Sequence, residues 1–377
     1  MSKKAEKIKI MTIIGTRPEI IRLSRVMPKL DEYFEHKIVF TSQSFDYELS
    51  SVFFKELELR KPEYILQVKA STLGKQIGNI LSQAEEIIIK EKPDAVLILG
   101  DTNSALSAII AKRYKIPIFH MEAGNRSFDW NVPEEINRRI VDHISDYNLA
   151  YTEHSRRYLI LEGIKPETIF VTGSPLAEVF EYFKAKIENS QSLSQLGIEK
   201  KGYFLVSTHR EENVDNEENV RELFEAINAL AEQYSKKIII SLHPRTKKKL
   251  ESFHIALHPL VQTMKPFGYF DYNKLQKEAL CVLSDSGTIQ EESAILRFKA
   301  IQLRKSTERP EAFDKGSIIV CGFNKHAVLS AVEMAIKEQI TTIPEDYKDL
   351  NISIKVVKLL LGFTSIIKYH DKKVQSV

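Results

Sequence analysis

Residues 95–120 read AVLILGDTNSALSAIIAKRYKIPIFH, and this stretch decides the fold. Ala95–Leu99 is a continuous apolar run, Gly100 and Asp101 break it, and Pro117–His120 is a second such run. Short apolar strands separated by helix-period sequence mark a parallel sheet covered on both faces. Working outward, the pattern repeats. Ile8–Ile14, Lys37–Thr41, Tyr147–Tyr151 and Ile169–Val171 join the first series. Tyr203–Ser207, Lys237–Leu242, Leu260–Met264, Cys281–Ser284, Ala300–Leu303 and Ser317–Val320 form a second, and Leu73–Lys92 and Asn219–Tyr234 read as helices. Two series predict an α/β chain with two doubly wound domains. The turn-prone Thr172-Gly173-Ser174-Pro175 places the junction, giving residues 1–173 and 174–351. Residues 352–377 begin with helical spacing and are expected to pack back on the first domain. Ligands of such sheets bind at the carboxyl ends of strands, so two rims are expected to face each other across a cleft.

A length of 377 residues suits two domains at ~100–200 residues each. Lys and Arg number 54 against 51 Asp and Glu, a net charge of +3. That balance speaks against a nucleic-acid or membrane-surface partner. Cys281 and Cys321 lie in apolar runs and read as buried, reduced thiols. The basic start has only a short apolar run with no signal-peptide pattern, and no stretch of 18 apolar residues follows. A cytoplasmic protein is expected. Dinucleotide, P-loop and H-E-x-x-H fingerprints are absent, and His254 and His258 have no third ligand nearby, so neither cofactor nor metal is expected.

Polar clusters sit where strands should end. Gly15-Thr16-Arg17-Pro18-Glu19 follows the first strand, where a tight turn into a helix start would hold an anion; a surface arginine in a turn looks the same. Asp101 either caps the next helix or serves chemistry. Glu122 has no evident structural duty, although pairing with Arg126 would give it one. Glu134 and Arg138 share a helix face at i,i+4 spacing, which is also how solvated ion pairs are spaced. Further on lie Thr208–Asn213, His243-Pro244-Arg245, Ser284–Thr288 and Thr307–Glu311. Ser286 and Gly287 at a helix start form an anion cradle and equally an ordinary cap. Phe267–Tyr272 is core or a wall for a nucleobase.

Taken together, GTRPE, GDTNS, MEAGNR, PEEINRR, DSGTIQEE and TERPE resemble, in order and spacing, the non-hydrolysing UDP-N-acetylglucosamine 2-epimerase family. The resemblance implies paired Rossmann-like domains of glycosyltransferase-B type, a homodimer and a UDP-2-acetamido sugar as ligand. It makes Asp101, Glu122 and Glu134 the proton-transfer carboxylates. It places Arg17, Ser286, Gly287 and Arg309 on the diphosphate, together with His209, which is grouped with the catalytic set. Glu292 would meet the ribose and Tyr272, beside Phe267, the uracil; Arg138 and His243 would complete the polar lining. Arg22 stands where the family commonly has Lys. The segment Asn125-Arg126-Ser127-Phe128-Asp129 and VPEEINRRIVDH resemble a subgroup that forms UDP-N-acetyl-L-fucosamine from the 6-deoxy-L-talo epimer for capsule or O-antigen. Asp46, near Gln43, would weaken a second, activating UDP-sugar site, while Arg210 and His243 are retained. UDP-GlcNAc/UDP-ManNAc epimerisation is the alternative within the family, and a glycosyltransferase of the same fold is the alternative outside it.

Overall fold

The computed structural model describes residues 7–42, 47–208, 216–242, 250, 252–304, 307–338 and 342–374. The chain divides into two compact units, Met1–Val179 with Lys348–Val377, and Phe180–Tyr347.

The first unit holds seven parallel strands: β1 (Lys9–Ile14), β2 (Glu35–Phe40), β3 (Tyr64–Ile65), β4 (Ala95–Leu99), β5 (Ile118–Ala123), β6 (Tyr147–Ala150) and β7 (Ile169–Val171). Their order is β3-β2-β1-β4-β5-β6-β7. The direction of winding reverses between β1 and β4, which pair from Ile10↔Ala95 to Ile13↔Ile98. That reversal is where doubly wound sheets bind ligands. Every residue of β4 is buried, because helices cover both faces. Leu73–Glu91 is one of them; Thr72 caps its start and Lys92 closes it in the left-handed region. β3 is a two-residue edge strand and too short to show a period in sequence.

The first unit runs past the Thr172–Pro175 turn to Val179, and its return segment starts at Lys348. Glu178 accepts from the Ser353 backbone N–H at 2.8 Å. Phe363 of helix Ile352–Val374 lies 4.6 Å from the Tyr147 ring and 5.0 Å from Phe170.

The second unit repeats the winding with β8 (Tyr203–Ser207), β9 (Lys237–Ser241), β10 (Val261–Met264), β11 (Cys281–Ser284), β12 (Ala300–Leu303) and β13 (Ile319–Cys321). The order is β10-β9-β8-β11-β12-β13, all parallel, so the reversal falls between β8 and β11. Helix Glu217–Tyr234 buries Val220, Leu223, Phe224, Ile227 and Leu230 against one face. Cys281 is buried and Cys321 only partly so, since its strand lies at the sheet edge. Among the described residues no helix is long and apolar enough to cross a membrane.

Candidate active site

In the first unit the polar clusters gather around the carboxyl ends of β1, β4 and β5. At the end of β1 the chain must pass very close to its neighbours. A Cβ on Gly15 would lie 1.9 Å from Ser104 Oγ and 2.3 Å from Thr41 Oγ1, two buried hydroxyls bonded to each other at 2.6 Å. Gly15→Ala is therefore expected to lose about 1–3 kcal/mol in denaturant unfolding, as overpacking does. Helix Arg17–Leu23 starts here, with Arg17 exposed and its guanidinium 5.2 Å from the Phe53 ring centre.

At the end of β4, Gly100 turns the chain at φ +74. Asp101 does not cap the following 3-10 helix, Asn103–Ser107; Thr102 holds that position. The Asp101 carboxylate instead takes two N–H groups of Arg138, from Nε at 2.9 Å and Nη2 at 2.5 Å, both on Oδ2. Asn137 donates to the Asp101 carbonyl at 2.9 Å, so helix Pro133–Ile144 docks on this loop through its first turns. Glu134 stands on that helix one turn before Arg138, on the same face. Arg138, expected to line the ligand, is buried beside Asp101 and also donates to Glu135 at 3.2 Å.

β5 runs farther than Pro117–His120. Its register against β6 shifts between Met121 and Ala123, and Glu122 in that bulge adopts φ +64. A non-glycine residue in the left-handed region at a bulge stores strain, and such bulges re-aim a side chain beside functional sites. Here the bulge brings Glu122 Oε2 within 3.6 Å of the position a Cβ on Gly100 would take. Glu122 accepts from Asn125 at 3.2 Å, and Arg22 Nε lies 3.7 Å away. Arg22 is itself buried, with its guanidinium 5.4 Å from the Tyr151 ring centre.

Arg126 turns inward rather than to Glu122: Nη1 is 2.7 Å from Asp142, and Nη2 is 2.6 Å from Glu162. A closed chain of polar contacts results. Arg138 and Arg139 share Glu135, Arg139 and Arg126 share Glu162, and Arg126 and His120 share Asp142. His120 Nε2 then meets the Gly100 carbonyl at 2.8 Å, next to Asp101, where the chain of contacts began.

In the second unit, Ser286 and Gly287 follow β11 and precede helix Ile289–Leu296, whose N-cap is Thr288. Ser286 Oγ accepts from the Thr288 N–H at 3.3 Å, and Gln302 donates to the Ser286 carbonyl at 3.1 Å. Glu292 is held at both oxygens, by Thr288 Oγ1 at 2.6 Å and Gln276 Nε2 at 2.6 Å. Arg309 is buried, with Nη2 3.0 Å from the fully buried Glu291. Phe267 and Tyr272 pack partly buried against one core cluster of this unit. His209, Arg210, His243, Gln43 and Asp46 lie outside the described residues. Glu19, passed over in sequence, is buried beneath the rim at Thr102; the pattern Thr16-x-x-Glu19 is a capping-box signature that marks it.

Two doubly wound domains, with carboxylates gathered at the strand ends of one, define an α/β enzyme of the glycosyltransferase-B fold class. A Rickettsia africae glycosyltransferase, 13% identical with a TM-score of 0.56 over 96% of this chain and 98% of that one, shares that fold alone. The family model for UDP-N-acetylglucosamine 2-epimerase matches residues 28–361. UDP-N-acetylglucosamine 2-epimerase of Methanocaldococcus jannaschii is 40% identical over 341 residues, covering 88% of this chain and 93% of that protein. Its crystal structure in complex with UDP-GlcNAc and UDP matches at TM-score 0.87 and 38% identity, over 94% of this chain and 99% of that one. The structure of the Rickettsia bellii UDP-N-acetylglucosamine 2-epimerase matches at TM-score 0.89 and 45% identity, over 96% and 98%. The chain belongs to the UDP-N-acetylglucosamine 2-epimerase family and is an isomerase.

Proposed function

We propose that the chain inverts C2 of a UDP-2-acetamido sugar, with UDP-GlcNAc and its C2 epimer UDP-ManNAc as the interconverting pair. The observation that carries this is the convergence of Asp101 and the bulged Glu122 at the β4 and β5 ends, beside the helix of Glu134. The hydrogen on C2 has no adjacent carbonyl, so a carboxylate cannot remove it directly. Expelling UDP from C1 makes it removable: the C1–O bond breaks with its electron pair leaving on the diphosphate. A carboxylate then takes the C2 proton, and the C2–H pair becomes the C1–C2 double bond of a glycal. Protonation of C2 from the opposite face, with UDP re-adding at C1, inverts the centre. Two faces require two acid/base groups in different environments. Asp101, gripped by Arg138, and Glu122, beside Arg22, differ in that respect. Glu134 is the third member of the set, and His209 stands with it by resemblance. Arg17, Ser286, Gly287 and Arg309 are assigned to the departing diphosphate, whose stabilisation should contribute most. Glu292, Phe267 and Tyr272 are assigned to the nucleoside, and Arg22, Arg138 and His243 to the polar lining.

A second reading, the 6-deoxy-L-talo substrate, rests on Phe128. Its ring is 61% exposed, stands edge-on to Tyr158 at 5.2 Å and lies near the single tryptophan, Trp130, on the loop leading to Glu134. An apolar surface there would favour a methyl group by ~1–3 kcal/mol. Incubating each sugar in D2O and following C2 by NMR tests both. UDP-GlcNAc is expected to give its epimer with deuterium at C2. Turnover of the 6-deoxy sugar alone would establish the second reading, and full retention of the C2 hydrogen would sink the elimination.

A further inference from the structure

Helix Arg17–Leu23 begins with more machinery than a helix start requires. Glu19 Oε2 accepts from the Gly15 N–H at 2.7 Å, the Thr16 N–H at 2.5 Å and Thr16 Oγ1 at 2.9 Å. Those bonds complete the cap. The other oxygen reaches elsewhere: Oε1 accepts from Thr102 Oγ1 at 2.8 Å, 83 residues along the chain. Thr102 sits at the N-cap of Asn103–Ser107, yet its hydroxyl makes no cap bond there. A threonine in that position usually closes its own helix. This one gives up the local bond for the distant one.

Glu19 is only 2% exposed. Burial pushes its carboxyl up to about 7, against the lowering effect of the Gly15, Thr102 and Thr16 donors. Burying a carboxylate is unfavourable, and a solvated capping box would avoid it. The buried position has one consequence that capping does not: it ties the loop carrying Arg17 to the residue after Asp101.

We infer that Glu19 is a positioning residue for the epimerisation, fixing the Asp101–Thr102 segment from below while Arg138 fixes the Asp101 carboxylate. The inference rests on the acid/base reading of Asp101. Glu19 touches no reacting atom; it acts through Thr102. Catalytic groups need placement within about 0.5 Å, and a shift of about 1 Å costs roughly 100-fold in rate.

Thr102→Val removes the bridging bond and leaves the helix cap intact, Thr102→Ser restores a hydroxyl, and Glu19→Gln keeps the size of the side chain. The readout is steady-state turnover of UDP-GlcNAc by each folded variant. Thr102→Val and Glu19→Gln are expected to lower kcat roughly 10–100-fold with KM changed less than about twofold. Thr102→Ser should stay within about threefold of the parent, and the double variant should be no worse than the poorer single one. A lower Tm with unchanged kcat would reduce Glu19 to a structural cap and overturn the inference, as would a rise in KM alone. Normal kcat in Thr102→Val beside an active parent defeats the positioning role only. An inactive parent removes the epimerase reading and this inference with it.

Discussion

Asp101→Asn, Glu122→Gln and Glu134→Gln are each expected to lower kcat about 10²–10⁴-fold, the usual cost of losing a general acid or base. The substitutions keep size and hydrogen-bonding reach, so folding should persist. Arg138 retains Glu135 as its ionic partner when Asp101 is replaced, and the asparagine amide oxygen can still accept from Arg138. A glutamine can likewise occupy the bulge in place of Glu122, because the φ of +64 depends on the backbone and not on the charge. UDP affinity should change little, since the nucleotide contacts are assigned to other residues. Turnover of both epimers, with circular dichroism as the check on folding, decides it. Near-normal kcat in all three would remove the carboxylates from the mechanism. The equilibrium between the two sugars fixes the ratio of the two kcat/KM values, so each variant must lower kcat/KM in both directions in proportion.

The strands were legible because parallel β-strands buried on both faces are continuous apolar words. Ala95–Leu99 is observed as expected, and among the described residues twelve of the thirteen strands overlap the runs read from sequence. The exception is Tyr64–Ile65, which has too few residues to carry a pattern. The rim was legible in a different way. Polar residues that interrupt apolar strands mark strand ends, and that placed Asp101 and Glu122 without specifying how they are held. Partners 36 residues apart, such as Arg126 and Glu162, have no local signature. Sequence spacing offered Arg126 to Glu122 and Glu134 to Arg138, both plausible by reach. The fold gave Arg126 to Asp142 and Glu162 instead, and it added Asp101 and Glu135 as partners of Arg138. The β5 bulge was equally hidden, because it consists of backbone geometry at an ordinary Glu. Substrate choice is less legible than either. UDP-GlcNAc is named for relatives that match along nearly the whole chain, whereas the 6-deoxy reading stands on one loop.

Arg126→Met should destabilise the chain by about 3–5 kcal/mol, the cost of removing one partner from a buried ion pair. Arg126 is among the largest fully buried side chains, and Asp142 has no exposure at all. Burial alone would raise the Asp142 carboxyl, but His120 and Arg126 hold it below its ordinary 3.8. A lowered folded value contributes stability that is complete above 3.8 and fades as pH falls through the folded value. In Arg126→Met the remaining partners of Asp142 are His120 at 2.8 Å and the Gly124 N–H at 3.2–3.3 Å. Its folded value should then rise, and the carboxylate becomes a liability at neutral pH. The deficit is therefore expected to be largest near pH 7 and to shrink toward pH 4, where protonating Asp142 removes a charge left with only His120 and the Gly124 N–H as partners. Methionine fills much of the arginine stem's volume, so lost packing does not account for a pH-dependent difference. Urea unfolding of parent and variant at both pH values measures it. A deficit below about 1 kcal/mol, or one independent of pH, would mean that the pair behaves as a solvated surface bridge.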